Sequence, residues 1–296
     1  MTHLVRYQDE AGGTGAGVLR DDGQVVPLAG SMAQLLALPL EELRAQVGKA
    51  GTDAVGPARL LAPLDGRGEV WCAGVTYARS RSARMEESTE QSVYDRVYSA
   101  DRPELFLKSP AWRVVTDGEP VGIRVDSGHD VPEPELAVVA NRYGEIVGFT
   151  VCNDMSSRSI EGENPLYIPQ AKIFAGGCAL APGIRPAWEV GDPTALTITL
   201  SVRRGSGEAF SGKTSTNQLI RGLDALVGDL FTGNEFPDGA VLATGTGIVP
   251  DLDFALQAGD EIRIEVEQVG VLTNTVAVGK DPFGFLSGRA DVKETR

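Results

Sequence analysis

The chain reads as a β-rich α+β protein, with a small N-terminal module ahead of a larger domain. Thirty-six glycines and 17 prolines in 296 residues demand many turns. Short apolar or alternating runs recur between those turns, as strands do. One stretch, residues 214–231, carries a clear helical stripe of Leu219, Leu223, Leu226 and Leu230.

Taken in order, residues 1–30 alternate apolar runs with turn residues such as Asp21–Gly23, the pattern of a β-meander. Residues 32–47 have helical spacing broken at Pro39. Pro63 and Gly66 mark a boundary, so 1–64 is read as the small N-terminal α/β module and 65–296 as the main domain. EVWCAGVTY (69–77) opens that domain as a strand. Residues 78–100 are helix-prone but too hydrophilic for a core, which predicts a surface helix or a lid. PELFLKSP, TITLSVRR, AVLATGTG and EIRIEVEQVGVLTNTV read as further strands, and Ser215 with Gln218 resembles a capping box for the 214–231 helix.

The bulk numbers exclude several classes. A formal charge of −14 and a pI near 4.7 argue against nucleic acid and anionic membranes as partners. The N-terminus lacks an apolar signal core, and no run is long and apolar enough to span a bilayer. Cys72, Cys152 and Cys178 show neither a disulfide framework nor zinc spacing, so free thiols in the cytoplasm are expected. His3 and His129 are the two histidines, which leaves almost no material for a Ser-His-Asp or Cys-His unit.

The chemistry concentrates around one hairpin. VPEPELAVVA and IVGFTVCND flank a turn at 141–145. If the runs pair antiparallel, Glu133 and Asp154 face each other at the open end. Glu133 and Glu135, two apart, lie on one side of their strand. Three carboxylates with no His or Cys beside them suit Mg²⁺, with Mn²⁺ or Ca²⁺ as alternatives, better than Zn²⁺. The plain alternative is three solvated acids around a turn. Against it, both runs are apolar enough to be buried, where unpaired charge is costly.

Residues 154–172 are densely polar and hold Arg158, Glu161, Glu163, Gln170 and Lys172, while Pro165 and Pro169 forbid a long helix. This suggests an active-site wall, with Lys172, desolvated near an ion, as a base of lowered pKa. Ala243–Gly247, A-T-G-T-G, offers hydroxyls and a turn that suits a carboxylate. GEAFSGKT (207–214) matches the P-loop pattern by letters. It follows an alternating strand ending in two arginines, and Glu208 and Phe210 stand where backbone should cradle phosphate, so a hairpin is the better reading.

E-P-E, N-D-M-S-S-R, P-Q-A-K, T-S-T-N-Q-L-I and A-T-G-T-G together resemble the fumarylacetoacetate hydrolase family over about 69–285. The resemblance implies a mixed β-roll or sandwich, usually a homodimer or homotetramer. It implies an ion on Glu133, Glu135 and Asp154, the family lysine at Lys172, and the Thr-Gly-Thr turn at Thr244, Gly245 and Thr246. Family hydrolases carry G-x-N-Y-x-x-H, whose His activates water with a Glu; here G-V-T-Y-A-R-S puts Ser80 at the His position. That disfavours hydrolysis. GVTYARSRSARMEES, YDRVYSADRPELFLK and IEGENPLYIPQAK instead resemble the dehydratases of 2-keto-3-deoxy sugar acids. Ser159 and Ala181 depart from an Asp and a Gly common in the family.

That resemblance implies metal-assisted dehydration of a 2-keto-3-deoxypentonate, a small 2-keto acid, to 2,5-dioxopentanoate. Lys172 is expected to take the C3 proton, with Glu161 or Glu163 as alternatives, and Glu104 to protonate the departing C4 hydroxyl. Ser80, Arg158 and the Thr244–Thr246 turn are expected to hold the substrate. An acylpyruvate hydrolase or oxaloacetate decarboxylase of the same family is the alternative.

Overall fold

A computed structural model describes residues 2–56, 58–87 and 91–288. The hairpin forms in the expected register. Pro134–Ala140 pairs antiparallel with Ile146–Asp154, Cys152 opposite Glu135 and Asn153 opposite Pro134. The Asp154 amide donates to the Glu133 carbonyl at 3.0 Å, which closes the open end. At the other end Asn141 organises the turn, its Oδ1 accepting from the amides of Tyr143 and Glu145.

This hairpin is the centre of an 11-stranded mixed sheet. On one side it is followed by Ala240–Ala243, then Glu69–Gly74, then Glu104–Pro110. On the other side Gly183–Pro186 links it to His3–Gln8, Thr14–Leu19 and Val25–Pro27 of the N-terminal segment. Both faces of the central strands are covered. Leu136, Val138 and Ala140 enter one core cluster, while Ala137 and Val139 enter another. A strand buried on both faces reads as a continuous apolar run, as LAVVA does. A second, five-stranded sheet contains Gly207–Ser215, Thr197–Arg204, Glu261–Val266, Gly270–Val278 and Val121–Ile123. The P-loop-like letters lie in the first of these strands, paired to Thr197–Arg204, so they form an edge hairpin and no phosphate loop.

Two expectations are corrected. The helix expected over 214–231 runs only from Leu223 to Gly233. Ser215 is still in a strand, opposite Thr197, and its hydroxyl accepts from the Asn217 amide to cap a short 3-10 turn, Thr216–Gln218. The helix starts after Gly222, and its buried stripe is Leu223, Leu226, Val227 and Leu230. Strand pairing takes Thr214 and Ser215 out of the helical period, and the 3-10 turn takes the next three residues.

The 78–100 segment forms two helices, Ala78–Glu87 and Gln91–Ser99, with 88–90 outside the described residues. The first is not simply a surface helix, because Ser80, Ala83 and Arg84 are buried. Tyr77, Ser80 and Arg84 follow the helical period that gives a single inward face.

The consequence for function is geometric. Pairing directions bring five strand ends to one edge of the sheet: the starts of Pro134–Ala140 and Glu104–Pro110, and the ends of Ile146–Asp154, Ala240–Ala243 and Glu69–Gly74. Four of these ends lead to Glu135, Glu104, Asp154 and the Gly245–Thr246 turn, and the fifth, Glu69–Gly74, brings Ala73, Gly74 and Val75 to the same cleft. Among the described residues, no helix is long and apolar enough to cross a membrane.

Candidate active site

Glu133, Glu135 and Asp154 each place a carboxylate oxygen within 4.8 Å of the others, and all three are buried. Each acid has a different environment. Glu135 sits against the turn after Ala240–Ala243, where the Gly245 amide donates to its Oε2 at 2.6 Å. In this turn the Gly245 amide serves one of the protein's own carboxylates, while the Thr244 and Thr246 hydroxyls donate to the Leu136 and Ile248 carbonyls. Gly245 has φ +93°, and an added Cβ would lie 2.9 Å from the Ala73 carbonyl, so no other residue fits without strain. Burial, then the charges of Asp154 and Glu133, push the Glu135 carboxyl well above its usual range.

Glu133 has the opposite balance. Its Oε1 receives Ser156 Oγ at 2.7 Å and Lys172 Nζ at 2.9 Å, and Arg84 Nη2 at 3.0 Å. Arg158 Nη2 adds an ion pair at 3.3 Å. Burial alone would raise its pKa, but Lys172 and Arg84 outweigh it and hold the carboxyl down at about 2. Glu133 is thus a fixed anion, with Oε1 crowded by donors.

Asp154 lies between two buried lysines. Lys172 Nζ donates to its Oδ2 at 2.9 Å, and Lys108 Nζ forms an ion pair with Oδ1 at 2.5 Å. That second contact is poorly aligned, so Oδ1 accepts no hydrogen bond among the described residues.

The donor set fits a hard dication. Three carboxylates converge, Asp154 Oδ1 has an unused lone pair, and Glu135 has two anionic neighbours that the Lys172 charge and one amide only partly offset. Zinc would want nitrogen or sulfur, and no His or Cys joins this group.

Lys172 ends the short helix Ile168–Lys172 and is fully enclosed. Its ammonium meets Glu133, Asp154 and the Ser156 hydroxyl at 2.6–2.9 Å. Burial works to lower its pKa, but Asp154, Glu133 and Glu161 prevail and raise it well above the ordinary lysine value. The sequence expectation of a lowered pKa is therefore reversed for these side chains alone: it counted desolvation and not the carboxylates that grip the ammonium.

Glu104, Val75, Phe106, Glu161 and Gly245 line the narrow cleft over the triad. Burial, followed by the charge of Glu161, raises the Glu104 carboxyl to about 7. Its side chain lies across Gly74, where a Cβ would collide with the carboxylate. Glu161 is also raised, by burial against the lowering pull of Arg84 and Lys172. Val75, at φ 54°, is a β-branched residue in the left-handed region, a conformation costing about 1–3 kcal/mol that is held only where neighbours enforce it. Thr76 supplies the restraint: its hydroxyl donates to the Thr244 carbonyl at 2.6 Å and its carbonyl accepts from the Ile220 amide at 3.1 Å.

The remaining expected residues separate. Thr246 and Ser80 line the cleft. The Ser80 hydroxyl is engaged at its own helix start, donating to the Tyr77 carbonyl at 2.8 Å and accepting from the Tyr77 amide at 3.2 Å. Thr244 is turned away, its hydroxyl donating to the Leu136 carbonyl at 2.8 Å. Arg158 packs behind Glu133 and Glu161, at 3.3 and 3.7 Å. Glu163 is exposed on the far side of its helix and lies outside the cleft, because the helical turn that buries Glu161 carries residue 163 outward. Ser159 joins Ser127 and Ser157 in a hydroxyl cluster at the start of that helix. His129 Nε2 contacts the Phe254 carbonyl at 2.8 Å, away from the triad.

Two buried cations went unrecognised in the sequence. Lys108 donates to the carbonyls of Met155, at 2.8 Å, and Lys172, at 2.5 Å, besides its contact with Asp154. Arg84 reaches Glu133 and Glu161. Alternation in PELFLK could have exposed the first, since Glu104, Phe106 and Lys108 share one strand face.

A family model, "Fumarylacetoacetate (FAA) hydrolase C-terminal", matches residues 69–277. The chain belongs to the fumarylacetoacetate hydrolase family. Among its family relatives, a Haloferax volcanii protein named "Probable 2-keto-3-deoxyxylonate dehydratase" is 45% identical over 76% of this chain and 77% of its own. A 2-dehydro-3-deoxy-D-arabinonate dehydratase of Saccharolobus solfataricus is 39% identical over 75% and 76%. A mitochondrial oxaloacetate tautomerase of Rattus norvegicus is more distant, 28% identical over 73% and 68%. A solved 2-keto-3-deoxy-D-arabinonate dehydratase, complexed with magnesium and 2,5-dioxopentanoate, superposes with a TM-score of 0.81 at 32% identity, covering 93% of this chain and 99% of that one. The β-rich α+β fold is thus the family fold that the sequence motifs implied.

Proposed function

We propose that this protein is a divalent-ion-dependent hydro-lyase that converts a 2-keto-3-deoxypentonate to 2,5-dioxopentanoate. One observation carries the reading: the carboxylate triad opens into the same cleft as Glu104, a carboxyl held near pH 7. The dehydratase relatives support it, as does the solved dehydratase that holds magnesium and 2,5-dioxopentanoate.

Glu133, Glu135 and Asp154 would hold the ion, Mg²⁺ by this reading. When bound, it supplies Lewis-acid polarisation of a 2-keto acid, making the C3 proton more acidic. Lys172 takes that proton. Its ammonium is held by Glu133 and Asp154, so Lys172 acts as base only after giving up a proton, which an ion sharing those carboxylates would favour. Glu104, half protonated near neutrality, donates to the departing C4 hydroxyl. The C3 proton and C4 hydroxyl leave as water, and the unsaturated product tautomerises to the aldehyde. Glu161, beside Glu104, raises the proton affinity of that acid. Thr246 and the Gly245 turn border the substrate. Ser80 leaves that wall without an imidazole, which supports dehydration over water-activated C–C hydrolysis.

The protein works as a homodimer or homotetramer in the cytoplasm by the same reading. Three buried free cysteines suit a reducing compartment, and exposed Trp112 and Leu166 offer apolar contact surface. The test is turnover of 2-keto-3-deoxypentonates beside oxaloacetate and acylpyruvates, each with Mg²⁺ or Mn²⁺. Formation of 2,5-dioxopentanoate supports the proposal; turnover of only oxaloacetate or acylpyruvates would replace it.

A further inference from the structure

Helix Ala78–Glu87 is strongly polar, yet it sends one guanidinium into the interior. Arg84 is 7% exposed and its two terminal nitrogens contact different acids. Nη2 lies 3.0 Å from Glu133 Oε1, and Nη1 lies 2.8 Å from Glu161 Oε2. Arg158 approaches the same two oxygens from behind at 3.3 and 3.7 Å. Arg84, Lys172 and the Ser156 hydroxyl therefore donate hydrogen bonds to Glu133 Oε1, and Arg158 adds an ion-pair contact as the fourth group there. An oxygen with two lone pairs is saturated by such a set. Glu133 is thereby left with Oε2 for any further ligand.

We infer that Arg84 is a positioning residue of the ion site, fixing Glu133 in a one-oxygen binding mode through its Nη2 hydrogen bond while its Nη1 ion pair draws Glu161 toward the same guanidinium. The inference rests on the proposal above that Glu133 is an ion ligand. Of the four groups on Oε1, Arg84 is the one contributed by the 78–87 helix; Ser156, Arg158 and Lys172 come from the segment after Asp154. The bridge therefore ties the helix that covers the cleft to an ion ligand on the central sheet. Ser80 lies one turn earlier on the same inward face but is bonded to the Tyr77 backbone, so it makes no such tie.

The sign of one measurement separates positioning from mere charge. Removing a positive group 3.0 Å from a ligand oxygen strengthens dication binding if charge is all that matters. Removing an orienting contact weakens it, by about 10–100-fold for groups that hold metal ligands in place. The experiment is Mn²⁺ titration followed by the electron paramagnetic resonance of free Mn²⁺, without substrate, on the parent, Arg84→Gln and Arg84→Lys. Arg81→Gln, on the same helix but in an exposed pair with Asp95, is the control, and melting curves report folding of each variant. The expected result is about 10–100-fold weaker Mn²⁺ binding for Arg84→Gln and parent affinity for Arg81→Gln. Arg84→Lys should recover at most part of the loss, because one ammonium cannot bridge two separated carboxylates. Unchanged or tighter binding by Arg84→Gln, or full recovery by Arg84→Lys, overturns the inference and leaves the proposed function intact. A folded parent that binds no Mn²⁺ overturns both.

Discussion

Glu104 is where the local environment makes its sharpest chemical statement. Its carboxyl is raised from 4.5 to about 7 by burial and by the neighbouring Glu161 charge. An acid must hold its proton to donate it, so kcat/KM should fall as pH rises through about 7. Glu104→Gln should remove that limb of the profile and lower kcat/KM by about 10²–10⁴-fold. An unchanged limb in the variant would assign the pKa to another group. The same shift carries a stability cost: between pH 4.5 and about 7 the native state holds a proton that the unfolded chain has released, so this contribution falls with rising pH and is flat above 7. Glu133, lowered to about 2, acts oppositely; its contribution is complete above pH 4.5 and is lost as pH falls toward 2. Lys172→Met should reduce turnover by about 10²–10⁴-fold while Mn²⁺ still binds, since the ligand oxygens remain. Full turnover in that variant would remove Lys172 as the base.

At the scale of elements, the two turns that close the cleft are held by hydroxyl side chains bonded to backbone and by one glycine conformation. Gly245→Ala must adopt φ +93° with a Cβ against Ala73 and Thr76, and it displaces the amide that serves Glu135. It should cost about 1–3 kcal/mol by strain alone and weaken ion binding together with stability; calorimetric melting and Mn²⁺ titration check the pair. Ser80→Ala should cost about 1 kcal/mol through lost bonds at the helix start and leave turnover within a few-fold. A large loss of turnover at full stability would return Ser80 to the substrate. The hairpin was legible because its two apolar runs, its turn and its acids are all local in sequence. Lys108 and Arg84 were not, because a lone basic residue in a strand or polar helix looks solvated until distant carboxylates are placed beside it. The 214–231 window misled for a related reason: it runs through a strand end and a 3-10 turn before the helix, so of its leucine stripe Leu219 lies outside the helix that starts at Leu223.

Across the whole molecule, the antiparallel pairing of Ala240–Ala243 with Pro134–Ala140 brings the Thr-Gly-Thr turn to the triad. No pattern in the sequence announces a contact between segments so far apart; the family resemblance supplied it by linking the motifs. The folded sheet thus holds a buried carboxylate cluster that Lys172, Lys108 and Arg84 offset in part and whose three converging acids suit a dication. Saturating Mg²⁺, at about a hundred times its dissociation constant, should stabilise the chain by about 2.7 kcal/mol and raise the melting temperature. Glu135→Gln should abolish that rise. The central claim is most directly tested by stripping the protein with chelator, adding a 2-keto-3-deoxypentonate, and following 2,5-dioxopentanoate before and after Mg²⁺ is restored. The account predicts no product from the stripped protein and recovered turnover on restoration. Undiminished product formation by the stripped protein would contradict it.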